Sequence, residues 1–187
     1  MKMPYRTLIL AFVLLFTGLP VVAGAATFTV STNGFADDAL LPADMGFDKN
    51  DAGGHSCGGV NRAPGFSWAN PPDKTASYAI IIVDPGGAGG AGVNHWVTYN
   101  IPFSVTGIST ADIAAAKYTP GRGSGDLVGY RGPCPGIGDA PHHYDVLLFA
   151  LDTAPALAAG LDRDGLLGAM KGHILHVTTT SFRFQRM

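Results

Sequence analysis

The sequence contains no glutamate, and all 14 of its acidic residues are aspartate. Glycine and proline are abundant instead, with 26 and 13 residues. Glutamate is a good helix former, whereas glycine and proline disfavour helix interiors and are frequent in turns. This composition argues against a protein built from long helices and predicts strands that are joined by turns.

Basic residues are also few. The 12 lysines and arginines leave a formal net charge of −2 at pH 7, so a basic surface for nucleic acid is not indicated. The glycine tract at residues 86–92 has no lysine, serine or threonine and no helix close behind it, which argues against a phosphate-binding P-loop. We interpret this tract as a flexible loop between two strands.

Long apolar runs are absent except near the N-terminus. Two basic residues precede an apolar run at residues 8–19, and an Ala-Gly-Ala sequence that ends at Ala25 follows it. This order is typical of a secretory signal that is cleaved after Ala25. The alternative is an uncleaved membrane anchor, although the run is shorter than the about 20 residues that a spanning helix needs. We therefore expect residues 1–25 to be a signal peptide, residues 26–187 to be one domain, and the protein to be periplasmic or secreted.

Cysteine is scarce, since Cys57 and Cys134 are the only two. Disulfides persist in exported proteins, so we expect these two residues to form a bridge. The alternative is a pair of separate, buried thiols. A metal site is not expected, because His173 and His176 have no convergent third ligand.

The pattern of apolar residues predicts a mainly β protein. Runs that are apolar, β-branched or alternating indicate five strands, at residues 28–31, 78–83, 95–101, 144–151 and 175–184. The uninterrupted apolar run at residues 80–83 is typical of a strand that is covered on both faces.

Two short helices are also predicted. The first spans residues 109–117, with Ser109 or Thr110 as its N-cap. The second spans residues 162–171 near the C-terminus, with Asp162 as its N-cap and Gly172 as its stop.

Histidines beside turn residues are the strongest functional signal. His95 and His142 each lie where a turn meets a predicted strand, Asp84 ends the strand before the glycine tract, and Tyr144 follows His142 by two residues. A protonated imidazole offers two donors and a positive charge, so two such rings in one pocket suit phosphate or carboxylate oxygens. Alternatively, these side chains only tie loops to the sheet by satisfying buried backbone groups.

Seven segments form a pattern that is specific when they are taken together. They are CGGVN at residues 57–61, PGFSW at 64–68, DP at 84–85, NHW at 94–96, GYRGPCPGIGDAPHHY at 129–144, ALD at 150–152 and GLLGAMKGH at 165–173. On these segments the chain resembles the phosphatidylethanolamine-binding protein family, in particular its bacterial branch, often described as Raf-kinase-inhibitor-like. The resemblance implies an antiparallel β-sandwich with two short helices, one of them near the C-terminus.

The resemblance also implies a pocket for phosphate-type head groups or other small anions. It carries the ligand-binding role onto Asp84, His95, Pro133, His142 and Tyr144. No cofactor is expected.

Two departures from the family pattern affect this pocket. The second carboxylate of the family's Asp-Pro-Asp-x-Pro stretch is missing here, because Gly86 stands in its place, and Ala88 replaces the final proline. The arginine of the family's His-Arg-Tyr is His143, which titrates near neutrality and points to the opposite side of its strand from His142. If imidazolium charge holds the ligand, anion affinity should rise as the pH falls from about 8 to about 5.5.

We therefore expect an exported, non-catalytic protein that binds a small anionic or phosphorylated ligand. Contact with a membrane is expected only if this ligand is a lipid head group. One alternative is an inhibitor or regulator of a protease or other enzyme, which would act through the pocket rim and the glycine tract. Another is a hydrolase that uses His95 or His142 as a base, although Ser124 has no recognisable triad.

Overall fold

Two β-sheets form the frame of the protein in a computed structural model, which describes residues 26–187. The expected signal peptide, residues 1–25, lies outside the described residues. In chain order the strands are β1 (Thr29–Thr32), β2 (Ala39–Leu40), β3 (Phe66–Ala69), β4 (Ser77–Asp84), β5 (Val93–Pro102), β6 (Gly107–Ile108), β7 (Thr119–Pro120), β8 (His142–Leu151) and β9 (Ile174–Phe184). The small sheet has the order β1-β3-β6, and the large sheet has the order β2-β9-β8-β4-β5-β7.

The predicted mainly β sandwich is confirmed, and the five predicted strands correspond to β1, β4, β5, β8 and β9. Strand β4 lies at the centre of the large sheet, where Ile81 pairs with Val97 of β5 and with Leu147 of β8. Neighbouring strands are antiparallel, with one departure at the edge, where β2 pairs parallel with β9. Antiparallel pairing brings the end of β4 beside the beginnings of β5 and β8, and this corner holds the candidate site.

The main core fills the space between the two sheets. Side chains alternate between the two faces of a strand, so Tyr78, Ile80 and Ile82 of β4 all point towards the small sheet and are fully buried there. They meet Trp68 of β3 and Phe182 of β9 in the same apolar cluster. Burial of side chains of this size supplies the largest favourable term in folding.

A second core covers the opposite face of the large sheet. It contains Ala79 and Ile81 of β4 and is closed by a helix, Arg163–Met170, through Leu166 and Met170. Strand β4 is therefore buried on both faces, as its uninterrupted apolar run predicts. The predicted N-cap of this helix is also confirmed, because the Asp162 side chain accepts a hydrogen bond from the Gly165 amide at 2.8 Å.

The other predicted helix is shorter than expected. It spans Thr110–Ala114, and Ser109 caps it in a reciprocal pair of hydrogen bonds with Asp112. It ends early because Ala116 adopts a positive φ of 46°, which a right-handed helix cannot continue. Among residues 26–187, no helix combines the length and the apolar character that crossing a membrane requires.

The glycine tract, which joins β4 to β5 as predicted, contains a defined turn. Residues Gly87–Gly90 form one tight turn with helix-like hydrogen bonding, although Ala88 and Gly89 have positive φ values of 52° and 67°. The predicted disulfide is present, since Cys57 and Cys134 are bonded with their Cα atoms 5.2 Å apart. This bridge links the loop before β3 to the loop before β8.

Candidate functional site

A cavity of about 540 Å³ opens at the corner where β4 ends and β5 and β8 begin. Three loops complete its wall, namely the loop that contains Asp51, the glycine tract, and the segment from Arg131 to Asp139. Asp84, His95, His142 and Tyr144 all line this cavity. The structure thus brings together four of the five residues to which ligand binding was assigned.

Asp84 is buried at the end of β4, with 3% of its surface exposed. Its Oδ1 accepts hydrogen bonds from the amides of Gly86 and Gly87, each at 2.9 Å. Its Oδ2 lies 2.7 Å from Nδ1 of His142. A side chain at Gly87 could not fit, because its Cβ would lie 2.7 Å from Cγ2 of Val93. Asp84 therefore fixes the glycine turn with one oxygen and orients His142 with the other.

His142 is the more accessible of the two histidines that line the cavity, with 20% of its side chain exposed. Its Nδ1 carries the hydrogen that is donated to Asp84, which leaves Nε2 as the ring nitrogen available to a ligand. In the neutral ring Nε2 is an acceptor, whereas in the protonated ring it is a donor. Nε2 also lies 3.5 Å from Oδ2 of Asp139, a carboxylate on the rim.

His95 contributes a different property, because it is buried with 4% of its surface exposed. Burial lowers the pKa of His95 to about 4, although the hydrogen bond to the Arg131 carbonyl opposes this shift. Its Nδ1 donates to that carbonyl at 2.9 Å, so Nε2 is an acceptor at neutral pH. One of the two positive charges expected from imidazolium rings is therefore not available at neutral pH, because His95 is uncharged there.

Tyr144 lines the cavity and carries a buried hydroxyl without a hydrogen-bond partner among residues 26–187. The residue is 1% exposed, and its hydroxyl has no hydrogen-bond partner within the described part of the chain. Its ring is held edge-on to His95 at 5.0 Å between centroids and is stacked on Phe182 at 5.3 Å. Burial raises the pKa of Tyr144, and the nearby charge of Asp84 adds to this effect. The hydroxyl therefore keeps its proton and is a fixed donor without an acceptor.

Arg131 supplies a permanent positive charge that the sequence reasoning missed. It lines the cavity, and its guanidinium lies 5.3 Å from the centroid of the Phe47 ring. Its buried Nε is also without a partner among the described residues. His143, which takes the place of the family's arginine, is exposed outside the cavity and lies 3.1 Å from Asp38. The one available signal was the position of Arg131 in the glycine-rich stretch before His142.

The rim is held by an ion pair that the sequence did not predict. Arg186, near the C-terminus, is buried and donates to Oδ2 of Asp51 at 2.6 Å. This hydrogen bond lowers the pKa of Asp51 to about 2, with a further contribution from the His55 amide. Arg186 also donates to the carbonyl of Ser56 and contacts Sγ of Cys134. It therefore joins both loops that the disulfide connects.

One expected feature of the wall differs from the observed one, and Gly86 leaves another part of the wall open. Pro133 is not among the residues that line the cavity, since it is buried beneath the wall and its carbonyl accepts from the Phe47 amide; Pro135 lines the cavity instead. At Gly86 a Cβ would lie 3.5 Å from Oδ1 of Asp84, which is ordinary contact. A side chain would fit there, so the glycine leaves this part of the wall open.

The segment Gly54-His55-Ser56-Cys57-Gly58 has the Gly-x-Ser-x-Gly spacing of a nucleophile elbow, which was not among the candidates above. It does not form the strand-turn-helix that such an elbow requires. The Ser56 hydroxyl accepts from the Gly58 amide, and the Ser124 hydroxyl accepts from the Asn94 amide. No histidine of residues 26–187 hydrogen-bonds to either serine, so neither is part of a triad.

Metal ligation has no structural basis in the part of the chain that the structure describes, where no group of three or more His, Cys or Asp residues could hold an ion. His173 instead lies 2.9 Å from Asp152, and His176 lies edge-on to Phe28.

Comparison with known proteins gives consistent matches over most of the chain. The sequence model of a family described as phosphatidylethanolamine-binding protein matches residues 31–185. The UPF0098 protein YbcL of Escherichia coli is 32% identical over 171 residues, which cover 88% of this chain and 90% of that protein. A UPF0098 protein of Methanothermobacter thermautotrophicus is 38% identical over 125 residues, which cover 65% of this chain and 81% of that protein.

A solved structure agrees with these sequence matches. The crystal structure of Escherichia coli YbcL, described as a new member of the mammalian PEBP family, superposes with a TM-score of 0.75 at 26% identity. The superposition covers 87% of this chain and 100% of the YbcL chain. The similarity therefore extends over both sheets and the corner where the cavity lies.

Proposed function

Because the chain belongs to the phosphatidylethanolamine-binding protein family, we propose that it is an exported, non-catalytic binding protein for a small anionic or phosphorylated ligand. The cavity at the corner of β4, β5 and β8 is the binding site. The family match supports a binding role, and the choice of ligand rests on the side chains of this cavity.

The buried hydroxyl of Tyr144 carries the proposal. A buried donor without a partner costs about 1–3 kcal/mol, so evolution of a purely structural wall would favour phenylalanine at this position. A ligand oxygen would complete the hydrogen bonding of this hydroxyl. Arg131 and the protonated His142 line the same cavity and would supply positive charge to the same ligand.

The buried charge of Asp84 does not argue against an anion. The carboxylate is stabilised locally by hydrogen bonds from two backbone amides and from Nδ1 of His142. When His142 is protonated, Nε2 becomes a donor and the pair of side chains is neutral overall. We therefore predict that anion affinity rises as the pH falls from about 8 to about 5.5.

Calorimetric titration of the purified protein with phosphate, phosphoethanolamine and acetate tests this proposal. Saturable binding that strengthens towards pH 5.5 supports it, and the His142→Gln variant should lose both the binding and its pH dependence. His143→Gln is the matched control, since this neighbouring histidine lies outside the cavity. Absence of heat with all three probes would contradict the anion site.

The absence of a catalytic nucleophile supports a non-catalytic role. Among the described residues that line the cavity there is no serine or threonine, and Cys134 is bonded to Cys57. The Asp84 and His142 pair therefore has no serine or threonine hydroxyl and no free thiol in the cavity to activate. Incubation with a chromogenic phosphate ester should give no turnover above the rate of the buffer, and turnover that His142→Gln abolishes would contradict this role.

An inhibitory role at the rim is the second candidate. Ile137 is 61% exposed in the turn between Gly136 and Asp139, which both line the cavity. An exposed apolar side chain at a cavity mouth suits contact with another protein. If the protein inhibits a protease, Ile137→Asp should abolish inhibition and leave phosphate binding unchanged. Loss of phosphate binding in the same variant would instead assign Ile137 to the pocket.

Export is supported by the basic, apolar and small residues of positions 1–25 and by the disulfide, which persists in an oxidising compartment. N-terminal sequencing of protein recovered from the extracytoplasmic fraction should begin at Ala26. Recovery of the intact chain from the membrane fraction would favour the uncleaved anchor.

A further inference from the structure

A carboxylate on the rim occupies part of the space in front of His142. Asp139 belongs to a turn that precedes β8, and its Oδ2 accepts from the Gly136 amide at 3.0 Å. The same oxygen lies 3.5 Å from Nε2 of His142. The absence of a side chain at Gly136 leaves room for the carboxylate in this position, since a Cβ there would displace it.

This position is the one that an anionic ligand would need. Nδ1 of His142 is committed to Asp84, so Nε2 is the ring nitrogen from which the protonated imidazole can donate to a ligand. An anion oxygen that accepts from Nε2 would lie close to Oδ2 of Asp139, which is 3.5 Å from the same nitrogen, so the two negative charges would compete for it. The amide of Gly136 is a second donor at the same point.

We propose that Asp139 is an internal competitor of the ligand and sets the affinity of the cavity for anions, an inference that rests on the anion site proposed above. The side chain is 52% exposed, so it can turn outwards into solvent. The backbone of Asp139 can stay in place during this rotation, because its carbonyl accepts a hydrogen bond from the Gln185 side-chain amide at 3.0 Å. Binding then exchanges one carboxylate for another anion at Nε2.

Asp139→Asn is the decisive variant, since the amide oxygen can still accept from Gly136 while the negative charge is lost. Phosphate affinity should rise on the order of threefold to tenfold, as expected for removing one partly solvated charge next to the ligand. The titration is carried out at about pH 5.5, where phosphate binding is expected to be strongest.

A matched control separates this effect from a change in net charge. Asp73 is exposed in the turn that precedes β4, whereas Asp84 lies at the other end of this strand. Asp73→Asn therefore changes the net charge by the same amount without altering the cavity. Phosphate affinity in Asp73→Asn should stay within about twofold of the wild type, because exposed charges far from the site are screened.

The outcomes separate this inference from the proposed function. Tighter phosphate binding in Asp139→Asn alone supports competition, whereas equal or weaker binding overturns it. Weaker binding of phosphoethanolamine alone would assign Asp139 to an ammonium group and also overturn it. If neither the wild type nor Asp139→Asn binds phosphate, the proposed anion site is wrong. The ¹⁵N resonance of His142 Nε2 then tests the contact with Asp139 separately: a shift of this resonance in Asp139→Asn supports the contact, and an unchanged resonance overturns it.

Discussion

Lowering the pH should destabilise the protein through His95, a prediction that follows from the burial of this ring. The native protein holds His95 as a neutral imidazole, because burial lowers its pKa from 6.5 to about 4. The unfolded chain exposes the ring and binds a proton near the ordinary value. Between these two values the unfolded state therefore binds more protons than the native state, and stability falls as the pH falls.

The size of the effect follows from the shift. A difference of about 2.5 pKa units corresponds to about 3 kcal/mol, at about 1.4 kcal/mol for each unit. This contribution is fully present above pH 6.5 and is lost as the pH falls to about 4. A loss of about 3 kcal/mol is a large part of the free energy of unfolding of about 5–15 kcal/mol that is typical of a folded domain. It should therefore be measurable by equilibrium unfolding.

Urea unfolding at a series of pH values between about 7.5 and 4 measures this dependence. In His95→Asn the amide can donate to the Arg131 carbonyl as Nδ1 does, but it does not titrate in this range. The wild type should lose about 3 kcal/mol more than this variant over the window. His55→Asn, at an exposed ring, should keep the wild-type slope. Equal slopes in the wild type and His95→Asn would refute a buried, neutral His95.

Three further predictions concern the frame around the cavity. Reduction of the disulfide, which closes a separation of 77 residues, should lower the free energy of unfolding by about 4 kcal/mol; unfolding that is unaffected by reductant would contradict this. Leu166→Ala should cost about 2–5 kcal/mol because the side chain is fully buried, and Leu175→Ala, 37% exposed, should cost clearly less. Arg186→Gln should raise the pKa of Asp51 from about 2 towards 3.8, as measured by NMR, and an unchanged value would exclude the ion pair.

The long strands could be predicted because each one carries a pattern that is repeated over many residues. Strand β4 is buried along nearly its whole length, and its uninterrupted apolar run predicts this burial. Strands β2, β6 and β7 have two residues each, which is too few for any period to be seen. Their existence depends on partners that are distant in the sequence.

The glycine tract shows why the sequence was insufficient for the loops. Its composition predicts flexibility, but the turn at Gly86 and Gly87 is fixed by hydrogen bonds to the Asp84 side chain. These hydrogen bonds span only two and three residues and form an Asx-type turn, a local feature that the glycine composition alone does not reveal.

Some residues of the candidate site could be predicted from the sequence and others could not. Asp84, His95, His142 and Tyr144 lie in or at the ends of long strands, and the strand order brings them together. Arg131 lies in a loop with no regular period, so its side-chain direction could not be inferred from the sequence. The neutral state of His95 was also hidden, because it results from burial and not from the residue type.

Phosphate affinity in Tyr144→Phe tests the central claim most directly. Removing an unpartnered buried hydroxyl should leave the free energy of unfolding unchanged or slightly higher. Phosphate affinity should nevertheless fall about tenfold or more, because a hydrogen bond to a charged group is lost. Tyr118→Phe, outside the cavity, is the control. A stable Tyr144→Phe protein that binds phosphate as tightly as the wild type would contradict the proposed anion site.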